Sequence, residues 1–78
     1  MRYVDTPKVM EIIRGHPDIT AIELTAHAYP QYKPGSSDFR MARLRVYRQI
    51  QSLKTHGRIY RTGTVPGTKD TGIWRAVQ

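Results

Sequence analysis

Apolar positions along the chain fall into three helical stripes, followed by two strand-like runs. In "DTPKVMEIIR", Val9, Ile12 and Ile13 recur at helical spacing, with Met10 at the margin of the stripe. Thr6 is placed to cap this helix and Pro7 to take its first position, where a missing N–H leaves no bond unmade. Gly15 and Pro17 stop it, which predicts a helix over about 7–14. In "ITAIELTAHAY", Thr20 and Glu23 stand in capping-box spacing, and Ile19 and Leu24 are spaced as a hydrophobic staple. A second helix is therefore expected over about 21–28. "YPQYKPGSS" follows, and its prolines, glycine and serines mark a loop.

The third stripe is the longest. Phe39, Ala42, Val46, Ile50 and Leu53 fall within about 40° of one line at helical periodicity. Serine as a cap and aspartate in a first turn place the start near Ser37 or Asp38. Gly57 stands where a left-handed C-terminal cap belongs. The predicted helix, about 38–55, is roughly 27 Å long. After it, "RIYRT" and "GIWRAV" are rich in branched and aromatic residues and read as strands, about 58–64 and 72–77. Between them Pro66-Gly67 suits the centre of a type II turn in a polar, glycine-rich tip. The expected fold is α+β, mostly α, with three helices and a C-terminal β-hairpin in a single domain over residues 1–78. Trp74 and Tyr60 are expected to pack on the helices rather than stack on a ligand.

Composition narrows the chemistry. The chain has no cysteine, which excludes disulfides, thiolate zinc sites and a cysteine nucleophile. His16, His27 and His56 are widely spaced, each near a predicted helix end, so no metal site is expected. Glu23 is committed to a capping box, and Asp18 and Asp70 have no evident acid–base partner. "TGTVPGTKDTG" lacks the spacing and the Lys-Ser/Thr pair of a phosphate-binding loop. Neither an enzyme nor a cofactor is expected. No apolar run approaches the roughly 20 residues that span a membrane. The segment "MRYVDTPK" lacks the apolar core of a secretory signal. The expectation is an intracellular, cytoplasmic protein with no membrane partner.

Charge changes the picture most. The net charge is +7, and it is unevenly placed. Residues 1–35 carry four basic and four acidic side chains, whereas residues 36–61 carry seven basic and one acidic. The basic stretch is "RMARLRVYRQIQSLKTHGRIYR", and no carboxylate lies within it. With Val46 at the centre of the buried face, Leu44, Arg48, Thr55 and Met41 point roughly the opposite way. Ser52 and Arg45 lie round one side and Arg40 and Gln51 round the other, with Tyr47 and Arg43 on the flanks. A solvated helix normally mixes signs on its outer face. Arginine also outnumbers lysine here, and its planar fork suits phosphates and guanine edges. Met41 and Leu44 admit two readings: contact with a loop or a second protomer, or contact with thymine methyls and sugar edges in a groove.

These residues carry a resemblance. "RVYRQIQSLKTHGRIYR", followed by a glycine-rich hairpin ending in "GIWRAV", resembles winged helix-turn-helix DNA-binding domains. Their recognition helix reads like "tV.R.l..L...G.i.r", matched here by Val46, Arg48, Ile50, Leu53, Gly57, Ile59 and Arg61. "DITAIELTAHAY" is similar to the family's second helix, which often opens Ser/Thr-x-x-Glu-Leu. The resemblance spans roughly residues 7–77. It implies that the third helix enters the major groove, buttressed by the first two. Arg45, Leu44 and Met41 would face bases, Arg48 and Tyr47 would reach bases or backbone, and Arg40 and Arg43 would hold phosphates. Arg58 would sit at the phosphate edge, and Arg61 and Lys69 on the 63–72 wing would touch backbone or the minor groove. The amides near Thr20 and Ala21 would hold a further phosphate.

The resemblance is to small stand-alone regulators of phage, plasmid and archaeal type. It implies sequence-specific binding of double-stranded DNA in transcriptional or replication control. A homodimer would form through these same elements, or only on DNA at adjacent half-sites. One departure stands out: about nine residues separate Ala28 from Asp38, where a turn of three or four is usual. Two other readings fit the same charge pattern. One is a protein-interaction module that docks an acidic partner through Leu44 and Met41, and the other is a binder of structured RNA.

Overall fold

The computed structural model describes residues 3–68 and 71–77. In chain order the elements are α1 (Thr6–Gly15), β1 (Ile19–Thr20), α2 (Ala21–Ala28), α3 (Ser37–Thr55), β2 (Ile59–Thr64) and β3 (Gly72–Ala76). The fold is α+β: three helices take about half the chain and pack on a three-stranded antiparallel sheet of order β1-β3-β2. Among the described residues no helix is long and apolar enough to cross a membrane.

The cap of α1 is Asp5, not Thr6. Its carboxylate accepts the Lys8 amide at 3.1 Å. Pro7 thereby moves one place inward, which is tolerated because the first four amides of a helix have no intrahelical partner. The buried stripe is Val9, Met10 and Ile13, with Ile12 only partly covered. Met10 and Ile12 thus exchange the places that the periodicity gave them. At α2 both halves of the expected capping box are present: the Glu23 amide donates to Thr20 Oγ1 (3.2 Å) and the Thr20 amide to Glu23 Oε1 (3.1 Å).

Ser36 caps α3, one residue before the expected start, by accepting the Phe39 amide at 3.2 Å. The predicted stripe of Phe39, Ala42, Val46, Ile50 and Leu53 is buried, and Gln49 joins it. Gly57 adopts the positive φ of 71° foreseen for it. The Arg58 amide then returns to the Leu53 carbonyl (2.9 Å) and the Gly57 amide to that of Lys54 (3.0 Å), the two bonds of a Schellman cap.

Residues 29–36 join α2 to α3, so the connection is long, as the sequence indicates. It is not merely a polar loop, because Tyr29 is fully buried and Tyr32 stacks on it with ring centroids 5.8 Å apart. The Tyr29 hydroxyl accepts the Val4 amide at 2.8 Å, and Gln49 Nε2 donates to the Val4 carbonyl at 2.8 Å. These two bonds strap the chain before α1 across α3.

The hairpin forms as predicted. Gly67 has φ 81° and the Thr68 amide returns to the Val65 carbonyl at 3.2 Å, which fits a type II turn around Pro66. Arg61 pairs with Trp74 and Gly63 with Ile73, so Thr62 is an extra residue that bulges from β2. The sequence pattern carries no signal for β1, whose Ile19 and Thr20 pair with Trp74 and Ile73 and make β3 the central strand. Trp74 is buried against the helices, whereas Tyr60, expected to pack there too, remains exposed. The core gathers Val9, Ile13, Leu24, Val46, Ile50 and Trp74 where helices and sheet meet.

Candidate nucleic-acid interface

With Val46 and Ile50 turned to the core, α3 presents Arg40, Met41, Leu44, Arg45, Tyr47 and Arg48 to solvent. Arg43 is different. It lies half-buried at the margin, and its Nε is enclosed with no hydrogen-bond partner. Among the described residues two ion pairs form, Lys8–Glu11 and Arg75–Asp18, and neither involves α3. Among the described residues, no carboxylate pairs with an arginine of α3. Such a surface attracts a polyanion, and the attraction weakens as salt screens it.

Three hollows divide this surface. The first, about 130 Å³, is lined by Tyr3, Met41, Leu44, Arg45 and Arg48. There the Arg45 guanidinium sits over the Tyr3 ring, 5.4 Å from its centroid, a cation–π arrangement. Tyr3 reaches this position because Gln49 and Tyr29 fix the backbone of Val4. The second hollow, about 120 Å³, lies between the start of α2, α3 and the hairpin, and is lined by Ala21, Tyr47, Gln51, Lys54, Arg61 and Thr71 among others. The third brings Arg40 and Arg43 to the Ser36 cap of α3, beside Ile22 and Pro34.

Arg61 enters the second hollow from β2. Its Nε donates to the Gly63 carbonyl (3.2 Å) and its Nη2 to Thr64 Oγ1 (2.9 Å), so the guanidinium folds along its own strand. The structure therefore brings Arg40, Arg43, Leu44, Arg45, Tyr47, Arg48 and Arg61 onto α3 or its neighbouring hollows. Arg58 stands apart. It lines a depression with Thr6, Met10, Arg14 and Leu53, near the start of α1. Lys69 and Asp70 lie outside the described residues. Gln51 and Lys54 line the second hollow together with Arg61, and neither is among the site residues expected from the sequence. Their signal was present in the helical wheel, which puts Gln51 on the outer half and Lys54 on the flank nearest Tyr47.

The hairpin is held to the helical body by Asp18. Its carboxylate accepts Arg75 Nη2 at 2.7 Å through Oδ2, and Thr62 Oγ1 at 3.1 Å through Oδ1. The Asp18 hydrogen bond and charge hold the Arg75 guanidinium above its ordinary pKa. Asp18 adopts φ 61°, a left-handed conformation that aspartate tolerates better than most residues. A residue passed over from the sequence as chemically idle thus positions the strand that carries Arg61.

His16 and His27, far apart in sequence, stack with ring centroids 4.0 Å apart. No third ligand joins them: among the described residues no group of three or more His, Cys, Asp or Glu is placed to hold a metal ion. Another hollow, about 430 Å³, lies between α1 and β3 beside Arg14, Pro17 and Val77, and includes none of the predicted site residues. No family model, curated protein or solved structure matches this chain.

Proposed function

We propose that the protein is a winged helix-turn-helix domain that binds double-stranded DNA with sequence preference and acts in transcriptional or replication control, without enzymatic activity. α3 is the recognition helix and enters the major groove. The β2–β3 hairpin is the wing and lies on the backbone or in the minor groove. The carrying observation is the outer face of α3, where Arg40, Arg45 and Arg48 have no acidic partner among the described residues. It is supported by the hollow that joins Tyr47, Gln51 and Lys54 of α3 to Arg61 of the hairpin. In this reading Arg45 and Arg48 reach guanine edges, Arg40 and Arg43 hold phosphates, and Arg61 meets the backbone beside the groove. Arg58, near the start of α1, is left as a peripheral phosphate contact.

A titration of random 30-base-pair duplex DNA, matched single strand and duplex RNA, from about 50 to 300 mM salt, tests this. Duplex DNA should be preferred, with log affinity falling against log salt by about 0.9 for each phosphate neutralised. Preference for A-form RNA would transfer the surface to structured RNA. Absence of binding to every nucleic acid at the lowest salt would sink the proposal. The exposure of Met41 (49%) and Leu44 (50%) favours one second reading, a module that docks an acidic protein surface.

A further inference from the structure

Met41 and Leu44 are the feature that arginine chemistry does not explain. They lie three residues apart on α3, about half exposed, within the hollow that Arg45 and Arg48 also line. Residues so spaced are neighbours on a helix surface. The row continues through Arg48 and Gln51, so its first half is apolar and its second half carries hydrogen-bond donors. A second copy is a poor occupant for this face, because it would set arginines that have no acidic partner among the described residues against the same arginines of its twin. A polyanion with apolar spots fits better. In the major groove of DNA the apolar spot is the C5-methyl group of thymine.

We infer, on the premise that α3 enters a DNA major groove, that Met41 and Leu44 read thymine methyl groups on neighbouring base pairs. The preferred site therefore contains thymines under the first half of α3, bordered by the bases that Arg48 and Gln51 contact. Arginine bonds bidentately to guanine and glutamine to adenine, which sets the expected order along the groove as thymines, guanine, adenine. Two side chains that cost solvent exposure in the free protein become the discriminating contacts of the complex. Cytosine methylated at C5 presents a methyl group at the same edge and should be accepted in place of these thymines better than cytosine is.

The experiment starts from a duplex selected by the protein from a random pool. Each thymine is replaced in turn by deoxyuridine, which removes the methyl group and leaves the pairing edge intact. Affinities are measured at one salt concentration for the wild-type protein, Met41→Ala and Leu44→Ala. Both side chains are exposed, and circular dichroism confirms that the variants remain folded. One or two adjacent replacements should weaken wild-type binding about fourfold each. Leu44→Ala or Met41→Ala should abolish the difference between thymine and deoxyuridine at its own position. Equal affinity for both duplexes, with salt-dependent binding intact, would overturn the methyl readout and leave DNA binding standing. A deoxyuridine penalty that persists in both variants would place its origin in DNA shape and overturn the inference as well. Failure of every duplex to bind would remove the premise itself.

Discussion

Asp18 and Arg75 are 57 residues apart in sequence, yet their side chains meet at 2.7 Å and join the turn after α1 to the central strand. The same carboxylate also accepts the Thr62 hydroxyl, so one left-handed residue touches both strands of the hairpin.

Substitutions of Asp18 should separate the backbone requirement from the charge. Asp18→Asn keeps a side-chain oxygen for Thr62 and tolerates positive φ, but loses the ion pair. Asp18→Ala loses all three. The thermal midpoint should fall in the order wild type, Asn, Ala. Equal losses for the two variants would mean that the charge alone matters.

Tyr29→Phe removes the acceptor of the Val4 amide and leaves a partly buried donor unpaired. The expected cost is about 1 kcal/mol in urea unfolding. Exchange of the Val4 amide with solvent should quicken more than that of amides within α3. Unchanged exchange at Val4 would show that Gln49 holds the strap by itself.

Thr20→Ala breaks the capping box of α2 on one side and should cost about 1 kcal/mol of stability. Thr20→Ser keeps the hydroxyl oxygen and should be close to neutral. Denaturant midpoints of the three proteins would decide, and parity of Ala with the wild type would refute a stabilising cap.

On the DNA-binding proposal, Arg45→Ala should relax sequence preference. Lys69→Ala should weaken all sequences about equally and lower the salt slope by about one unit. Competition between a selected duplex and random DNA measures both effects. An equal loss across sequences for Arg45→Ala would reassign it to the phosphate backbone.

How much of this was legible in the sequence depended on how local each signal was. The stripe of α3 persists over a helix of 19 residues, so its periodicity survives any error at the ends. The Thr20–Glu23 box and the Gly57 cap are written within a few residues and were recovered intact. β1 escaped because a strand of two residues has no period; only its partner, β3, makes it a strand. Gln49 and Tyr29 escaped for a related reason. Hydrophobicity ranks both as doubtful core, and each is buried because the Val4 backbone, remote in sequence, supplies its hydrogen bond. Within the candidate interface, the basic character of α3 was visible in composition. The distribution of its residues into separate hollows follows from where the hairpin and residues 3–4 pack, which helical spacing does not encode.

The bulge at Thr62 has a consequence beyond aiming a side chain. β2 is a border strand, hydrogen-bonded to β3 along one rim only. An unguarded rim of this kind invites the strand of another molecule to add to it, the first step towards aggregation. Here the extra residue breaks the regular ladder in mid-strand, and Arg61 folds along the same strand beside it. A neighbouring copy would meet a kinked, positively charged border instead of a flat template. The irregularity that ties the hairpin to Asp18 thereby also makes this rim a poor template for an added strand.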